Sequence, residues 1–144
     1  MEIADEVQSV LSHYGQATVW TNGVFFASNY TLESLESAVD NSDFAIAIAQ
    51  PDDMTLSRGK ESKTARDNVI FELGLFMGRL GRRRTILLQP KGQELRLPSD
   101  LVGLTTLSYK TGDASDLASR IATACSDIKK LIKEMGVRKY SHGN

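Results

Sequence analysis

A single cysteine, Cys125, in 144 residues leaves no internal disulfide to build a small cross-linked scaffold, and suits a reducing compartment. No apolar run approaches eighteen residues, so no membrane-spanning helix is expected. The opening residues lack the basic-then-apolar layout of a signal peptide. Neither sign of charge dominates: 17 Lys and Arg against 18 Asp and Glu leave a net charge of −1, without the basic excess of a general DNA-binding surface. Histidine is scarce, with His13 and His142 at opposite ends of the chain. No Cys or His spacing therefore suits a metal, and no Ser or Cys has a histidine placed to activate it. Neither a P-loop nor a G-x-G-x-x-G run occurs, and no repeat or low-complexity segment is present. These absences point to a cytoplasmic domain without membrane or DNA as partner.

What is present is an ordinary globular composition, 41% apolar and 24% charged, in a length that makes one domain with a real core. Residues 2–14 carry Ile3, Val7, Val10 and Leu11 at helical spacing, and Gly15 ends that helix. Residues 17–21 (ATVWT) are short and β-branched and read as a strand; Phe25, Phe26 and Tyr30 follow in a loop. Residues 32–39 form a short helix with Leu32, Leu35 and Val39 on one face, which Thr31 and Ser34 could cap. The near-continuous apolar run 43–49 (DFAIAIA) has the character of a strand buried on both faces, stopping at Gln50-Pro51-Asp52-Asp53. Residues 54–63 read as a polar loop. After the central helix, Arg82-Arg83-Arg84 leads into a second apolar strand, 85–89. Residues 104–109 form a weaker, edge strand. Residues 113–135 form a long amphipathic helix with Leu117, Ile121, Ala124, Ile128, Leu131 and Ile132 on its buried side. Strands alternating with helices predict an α/β domain with a mostly parallel sheet, whose ligands bind at the carboxyl ends of the strands.

The central helix, 64–81 (TARDNVIFELGLFMGRLG), organises the rest. Its middle, 69–77, is apolar almost all round, the mark of a buried helix, except for Glu72. An ionised carboxylate there is costly unless it is paired or used. Glu72 shares a face with Asn68, Val69, Phe76 and Arg79. Thr64 and Asp67 fit a capping box, Gly81 fits the position after the helix, and Gly74 and Gly78 fit a close backbone approach. Two readings follow for Glu72: a carboxylate at the rim of the core held by Arg79, Arg66 or a backbone amide, or a catalytic acid in a cleft.

The other candidates are weaker. Asp52-Asp53 fits a cation or sugar-hydroxyl site as well as it fits a turn. Arg82–Arg84 would complement a helix dipole more readily than grip phosphate. Trp20, Phe25 and Phe26 fit ring stacking, though each alone is an ordinary core residue. Cys125 reads as a small core residue. A reaction that needs little beyond one carboxylate is cleavage of the N-glycosidic bond of NAD+. Its leaving nicotinamide departs neutral without a general acid, so what requires stabilisation is an oxocarbenium-like ribose.

Trp20-Thr21 with Phe25, then Asp43-Phe44-Ala45-Ile46 leading to Asp52-Asp53, Arg58-Gly59, the run RDNVIFELGLFMG over 66–78, and Leu97-Pro98-Ser99-Asp100-Leu101 with Gly103 together resemble a known family. It is that of the bacterial TIR-like domains of antiviral effectors in CBASS and Pycsar systems, and the likeness covers residues 3 to 109. The resemblance implies a flavodoxin-like, three-layer α/β sandwich that hydrolyses NAD+ to nicotinamide and ADP-ribose. NAD+ is then the substrate and no cofactor is implied. The family's catalytic glutamate falls on Glu72, and Trp20, Phe25, Asp52, Asp53, Arg66 and Asn68 are expected to bind substrate. The resemblance also implies self-association through TIR domains and a cyclic-nucleotide sensor as a further domain or protein. Relatives open with a strand of the type R-I-F-I-G followed by S-S-S-E, whereas this sequence begins on the following helix. The expectation is a domain over residues 1–135 truncated at its start, with 136–144 as tail or linker. The alternatives are a nucleotide-binding and self-association module without turnover, and a nucleoside deoxyribosyltransferase-like enzyme.

Overall fold

The structure is a computed structural model that describes residues 2–13, 15–16, 31–50, 60–112 and 116–137; of residues 2, 31 and 60–66 only the backbone is described. Its centre is the strand TILLQP, in which every residue is buried. Aliphatic and β-branched side chains on successive positions suit a strand covered on both faces. With β1 (Ala45–Ile48), β2 (Thr85–Pro90) and β3 (Thr105–Tyr109), the described strands form one sheet in the order β1-β2-β3. Both pairings are parallel, with Ala45 opposite Thr85 and Ile48 opposite Leu88 on one side, and Ile86 opposite Thr105 and Pro90 opposite Tyr109 on the other.

Alternation along β2 sends Ile86 and Leu88 to one face and Leu87 to the other. On the first face lie α1 (Glu2–Leu11) and α4 (Leu117–Met135). Ile3, Val7 and Leu11 of α1 pack there with Ile121, Ala124, Cys125 and Ile128 of α4, and with Tyr109. On the second lie α2 (Thr31–Asp40) and α3 (Lys60–Leu80). Leu35 and Val39 pack there with Val69, Leu73, Phe76 and Leu80, and with Ala47 and Ala49 at the end of β1. Each of the larger buried side chains contributes about 1.5–3 kcal/mol of burial free energy, so the two apolar clusters hold the layers together. Helix, sheet, helix is the three-layer α/β arrangement read from the sequence. Among the described residues no helix is long and apolar enough to cross a membrane.

Two glycines end helices. Gly81, at φ 87°, donates its N–H to the Met77 carbonyl at 2.9 Å and closes α3 as expected. Gly136, at φ 64°, does the same for α4 through the Ile132 carbonyl at 2.8 Å.

Several sequence expectations need correction. Helix α3 begins at Lys60, not at residue 64, so Thr64 lies inside the helix and cannot cap it, and residues 60–63 are helical instead of loop. Helix α3 is also not buried all round. Val69, Leu73, Phe76 and Leu80 form one buried stripe, whereas Phe71 is 48% exposed. Gly74 and Gly78 are exposed, and a Cβ at either would meet nothing within 4 Å, so no backbone packs against them among the described residues. In α2, Leu35 and Val39 are buried but Leu32 is exposed, and Ser34 lies within the helix and does not precede it. Helix α1 ends at Leu11, short of residue 14. Helix α4 begins at Leu117, with residues 113–115 outside the described part. Only Ala47 of β1 is fully buried, because among the described strands β1 has a neighbour on one side only. The strand read over 17–21 lies outside the described residues.

Candidate functional site

The position of Glu72 follows from the lengths of the elements. Helix α3 joins two parallel strands, so it runs antiparallel to them and its Leu80 end lies near the start of β2. Glu72 is eight residues before Leu80, about 12 Å up the helix at 1.5 Å per residue. Ala49 is four residues above Ala45, about 13 Å up the sheet at 3.3 Å per residue. Glu72 is thus level with the end of β1, at the edge of the sheet where α/β domains bind ligands.

Glu72 is half-buried, and among the described residues nothing donates a hydrogen bond to its carboxyl or pairs with it. Burial without a compensating charge disfavours the carboxylate and pushes its pKa up to about 7. Such a group changes charge near neutral pH, which suits a catalytic acid or base far better than a structural ion pair. Asn68, one turn earlier on α3, is likewise half-buried. Arg66 lies on the same helix, its side chain outside the description. Trp20, Phe25, Asp52 and Asp53, and the Arg58 loop, all lie outside the described residues.

Arg79 does not hold Glu72. Its guanidinium donates to Glu36 at 2.5 Å and to Asp40 at 2.7 Å, both on α2, and this pairing raises its pKa, the Asp40 hydrogen bond first. Of the arginine run past α3, Arg84 serves a helix end, but another helix's. Arg84 donates to the Met135 and Gly136 carbonyls at the end of α4, at 3.3 and 2.9 Å, and to the Asp43 carbonyl at 3.1 Å. It also lies 4.9 Å from the centre of the Phe44 ring.

The upper edge of the sheet carries two polar anchors not foreseen as functional. Gln89, 3% exposed, accepts the Leu95 N–H at 2.8 Å and ties the following loop to β2. Tyr109, at the end of β3, donates its hydroxyl to the Ala49 carbonyl at 2.8 Å, reaching past β2 to the end of β1. A polar atom at the end of an aromatic strand residue was visible in the sequence, but its target, sixty residues away, depends on the strand order.

The chain is similar to several named proteins. The family described as CAP12/Pycsar effector protein, TIR domain, matches residues 1–111. The Pycsar effector protein PaPycTIR of Pseudomonas aeruginosa is 56% identical over 118 residues, 81% of this chain and 38% of that protein. The Pycsar effector protein BcPycTIR of Burkholderia cepacia is 46% identical over 135 residues, 93% of this chain and 45% of that protein. CD-NTase-associated protein 12 of Flavobacterium daejeonense is 37% identical over 110 residues, 76% of this chain and 35% of that protein. The chain therefore spans less than half the length of each of these three relatives. A parallel sheet between two helical layers, an acid in the run RDNVIFELGLFMG that is unpaired among the described residues, and a family match over residues 1–111 agree: this chain belongs to the TIR domains of the CAP12/Pycsar effector proteins.

Proposed function

We propose that the chain is the NAD+-cleaving domain of an antiphage effector, hydrolysing the bond between nicotinamide and ribose with Glu72 as the catalytic carboxylate. The observation that carries this reading is the Glu72 carboxyl, half-buried at the height of the strand ends, unpaired among the described residues and poised near neutrality. In the reaction the C1′–N1 bond breaks and its electron pair passes to the pyridinium nitrogen, which leaves neutral. Water forms the new C1′–O bond and gives up a proton. The ionised Glu72 stabilises the positive charge that develops on the ribose. Trp20, Phe25, Asp52, Asp53, Arg66 and Asn68 are the residues proposed to bind the substrate.

Family membership supports a role as the effector part of a longer, cyclic-nucleotide-responsive protein that works in the cytoplasm and is activated by self-association. Phe71, Gly74 and Gly78 lie along one exposed stripe of α3. The same stripe favours a second reading, a self-association module without turnover. Nicotinamide release from NAD+ by the purified chain at high concentration, with a crowding agent, separates the two. The expected result is release by the parent and none by Glu72→Gln; release by both rejects Glu72 as the catalytic group, and release by neither favours the module. Base exchange with a deoxynucleoside, without NAD+ loss, would instead identify a deoxyribosyltransferase-like enzyme.

A further inference from the structure

We infer that Tyr109 is a positioning residue of the site: its hydroxyl replaces a backbone donor that Pro90 cannot supply, and so fixes the end of β1 at the level of Glu72. The activity arm of its test rests on the proposed function; the structural arm does not. In a parallel ladder, alternate residues of one strand direct both their N–H and C=O to the same neighbour. The Ala49 N–H donates to the Leu88 carbonyl at 2.9 Å, so Leu88 faces β1. On the other side the Lys91 N–H donates to the Tyr109 carbonyl at 2.8 Å, so Lys91 faces β3 and Pro90, between them, faces β1. The next rung would run from the N–H of residue 90 to the Ala49 carbonyl. Proline has no N–H, and the rung is missing.

The deficit falls in a dry place. Ala49 is 0% exposed and Pro90 is among the fully buried residues, so an orphaned carbonyl has no easy access to water. Tyr109 stands opposite Pro90 in the register, is 2% exposed and packs on the α1–α4 side of the sheet. Its hydroxyl, 2.8 Å from the Ala49 oxygen, takes the place of the absent donor. The Ala49 carbonyl, just past β1, is thus held by a side chain from β3 instead of by the adjacent backbone. Asp52 follows Ala49 by three residues, a reach of about 11 Å at most. The end of β1, at the height of Glu72, is set at this carbonyl.

The experiment compares the parent chain with Tyr109→Phe, Pro90→Ala and the double variant. The first readout is amide hydrogen exchange over residues 45–53. Tyr109→Phe is expected to speed exchange there about tenfold, with α4 unchanged. Adding Pro90→Ala to that chain is expected to return exchange to within about twofold of the parent, because alanine carries the N–H that the missing rung requires. The second readout is kinetic. Tyr109→Phe is expected to raise KM for NAD+ about fivefold with kcat within about twofold, and the double variant to recover KM. Unchanged exchange in Tyr109→Phe, no recovery on adding Pro90→Ala, or an unmoved KM in an active chain each overturns the inference. A parent that releases no nicotinamide overturns the proposed function instead, and the exchange measurement then decides the inference alone.

Discussion

Glu72 and Arg79 lie seven residues apart on one face of α3, yet the guanidinium turns away from that carboxyl to bind Glu36 and Asp40 of α2 at 2.5 and 2.7 Å. Two acids one turn apart on α2 hold it instead, and the acid on α3 is left in its half-buried setting without a countercharge among the described residues. The clamp and the poised acid are therefore two sides of one arrangement.

The raised pKa has a stability consequence. Glu72 holds its proton to about pH 7 when folded, against an ordinary value of 4.5. Below pH 4.5 both states are protonated and the carboxyl carries no penalty. Between pH 4.5 and 7 the unfolded chain ionises first, and the folded state loses stability with rising pH until both are ionised. A shift of that size corresponds to about 3 kcal/mol as an upper figure. Glu72→Gln is thus expected to stabilise the fold at about pH 8 and to be near neutral at about pH 4, read from urea midpoints at the two values. A variant less stable than the parent at the higher pH would mean that the carboxylate has a partner holding it.

If the ionised carboxylate stabilises the ribose cation, activity follows its titration. kcat/KM for NAD+, which reports the free enzyme, should rise about tenfold per pH unit below about pH 7 and level off above it. The pyridinium of bound NAD+ favours the ionised form, so the inflection in kcat should fall at lower pH than that in kcat/KM. A kcat/KM that falls as pH rises through that inflection would assign Glu72 a protonated role, contrary to the proposal.

The parts of the fold that were legible from sequence are those that periodicity controls. The apolar runs marked β1 and β2, the stripe Ile121, Ala124, Ile128 marked the buried side of α4, and Gly81 marked the end of α3. The start of α3 was not legible, because residues 60–63 are polar on a helix that carries its apolar stripe only from Val69 onward. Phe71 misled because a run of apolar letters hides which of them face the sheet; Val69, Leu73, Phe76 and Leu80 do, with Ile70, Leu75 and Met77 partly buried beside them. Glu72 was legible because one acid in an apolar helix is conspicuous. The partners of Arg79, Arg84 and Tyr109 were not, since each reaches across a gap of 39 or more residues that only the topology closes.

The Arg79 clamp predicts a salt-sensitive stability. Arg79→Met removes the cation from between Glu36 and Asp40, leaving two acids at i and i+4 that repel. The thermal midpoint is expected to fall by a few degrees at low salt and by less at high salt, where exposed charges are screened. Adding Asp40→Asn to Arg79→Met should recover part of the loss by relieving the repulsion. Equal losses at both salt concentrations would assign the effect to the packing of the arginine stem instead.

Arg84 joins the base of the sheet to the end of α4, and the geometry of its head group is what allows it. One planar fork reaches three carbonyls, those of Asp43, Met135 and Gly136, while its face lies on Phe44. A lysine keeps the charge but not the fork or the stacking surface. Losing charge-assisted hydrogen bonds at a part-buried site costs about 1–3 kcal/mol, so Arg84→Lys should lower the midpoint of unfolding by about 3–10 °C. Arg83→Lys is the matched control, because Arg83 is exposed one residue earlier. The same loss in both variants would assign the effect to the charge of the run. A loss confined to Arg84→Lys, with faster amide exchange in the last turn of α4, locates it at the carbonyls that this arginine closes.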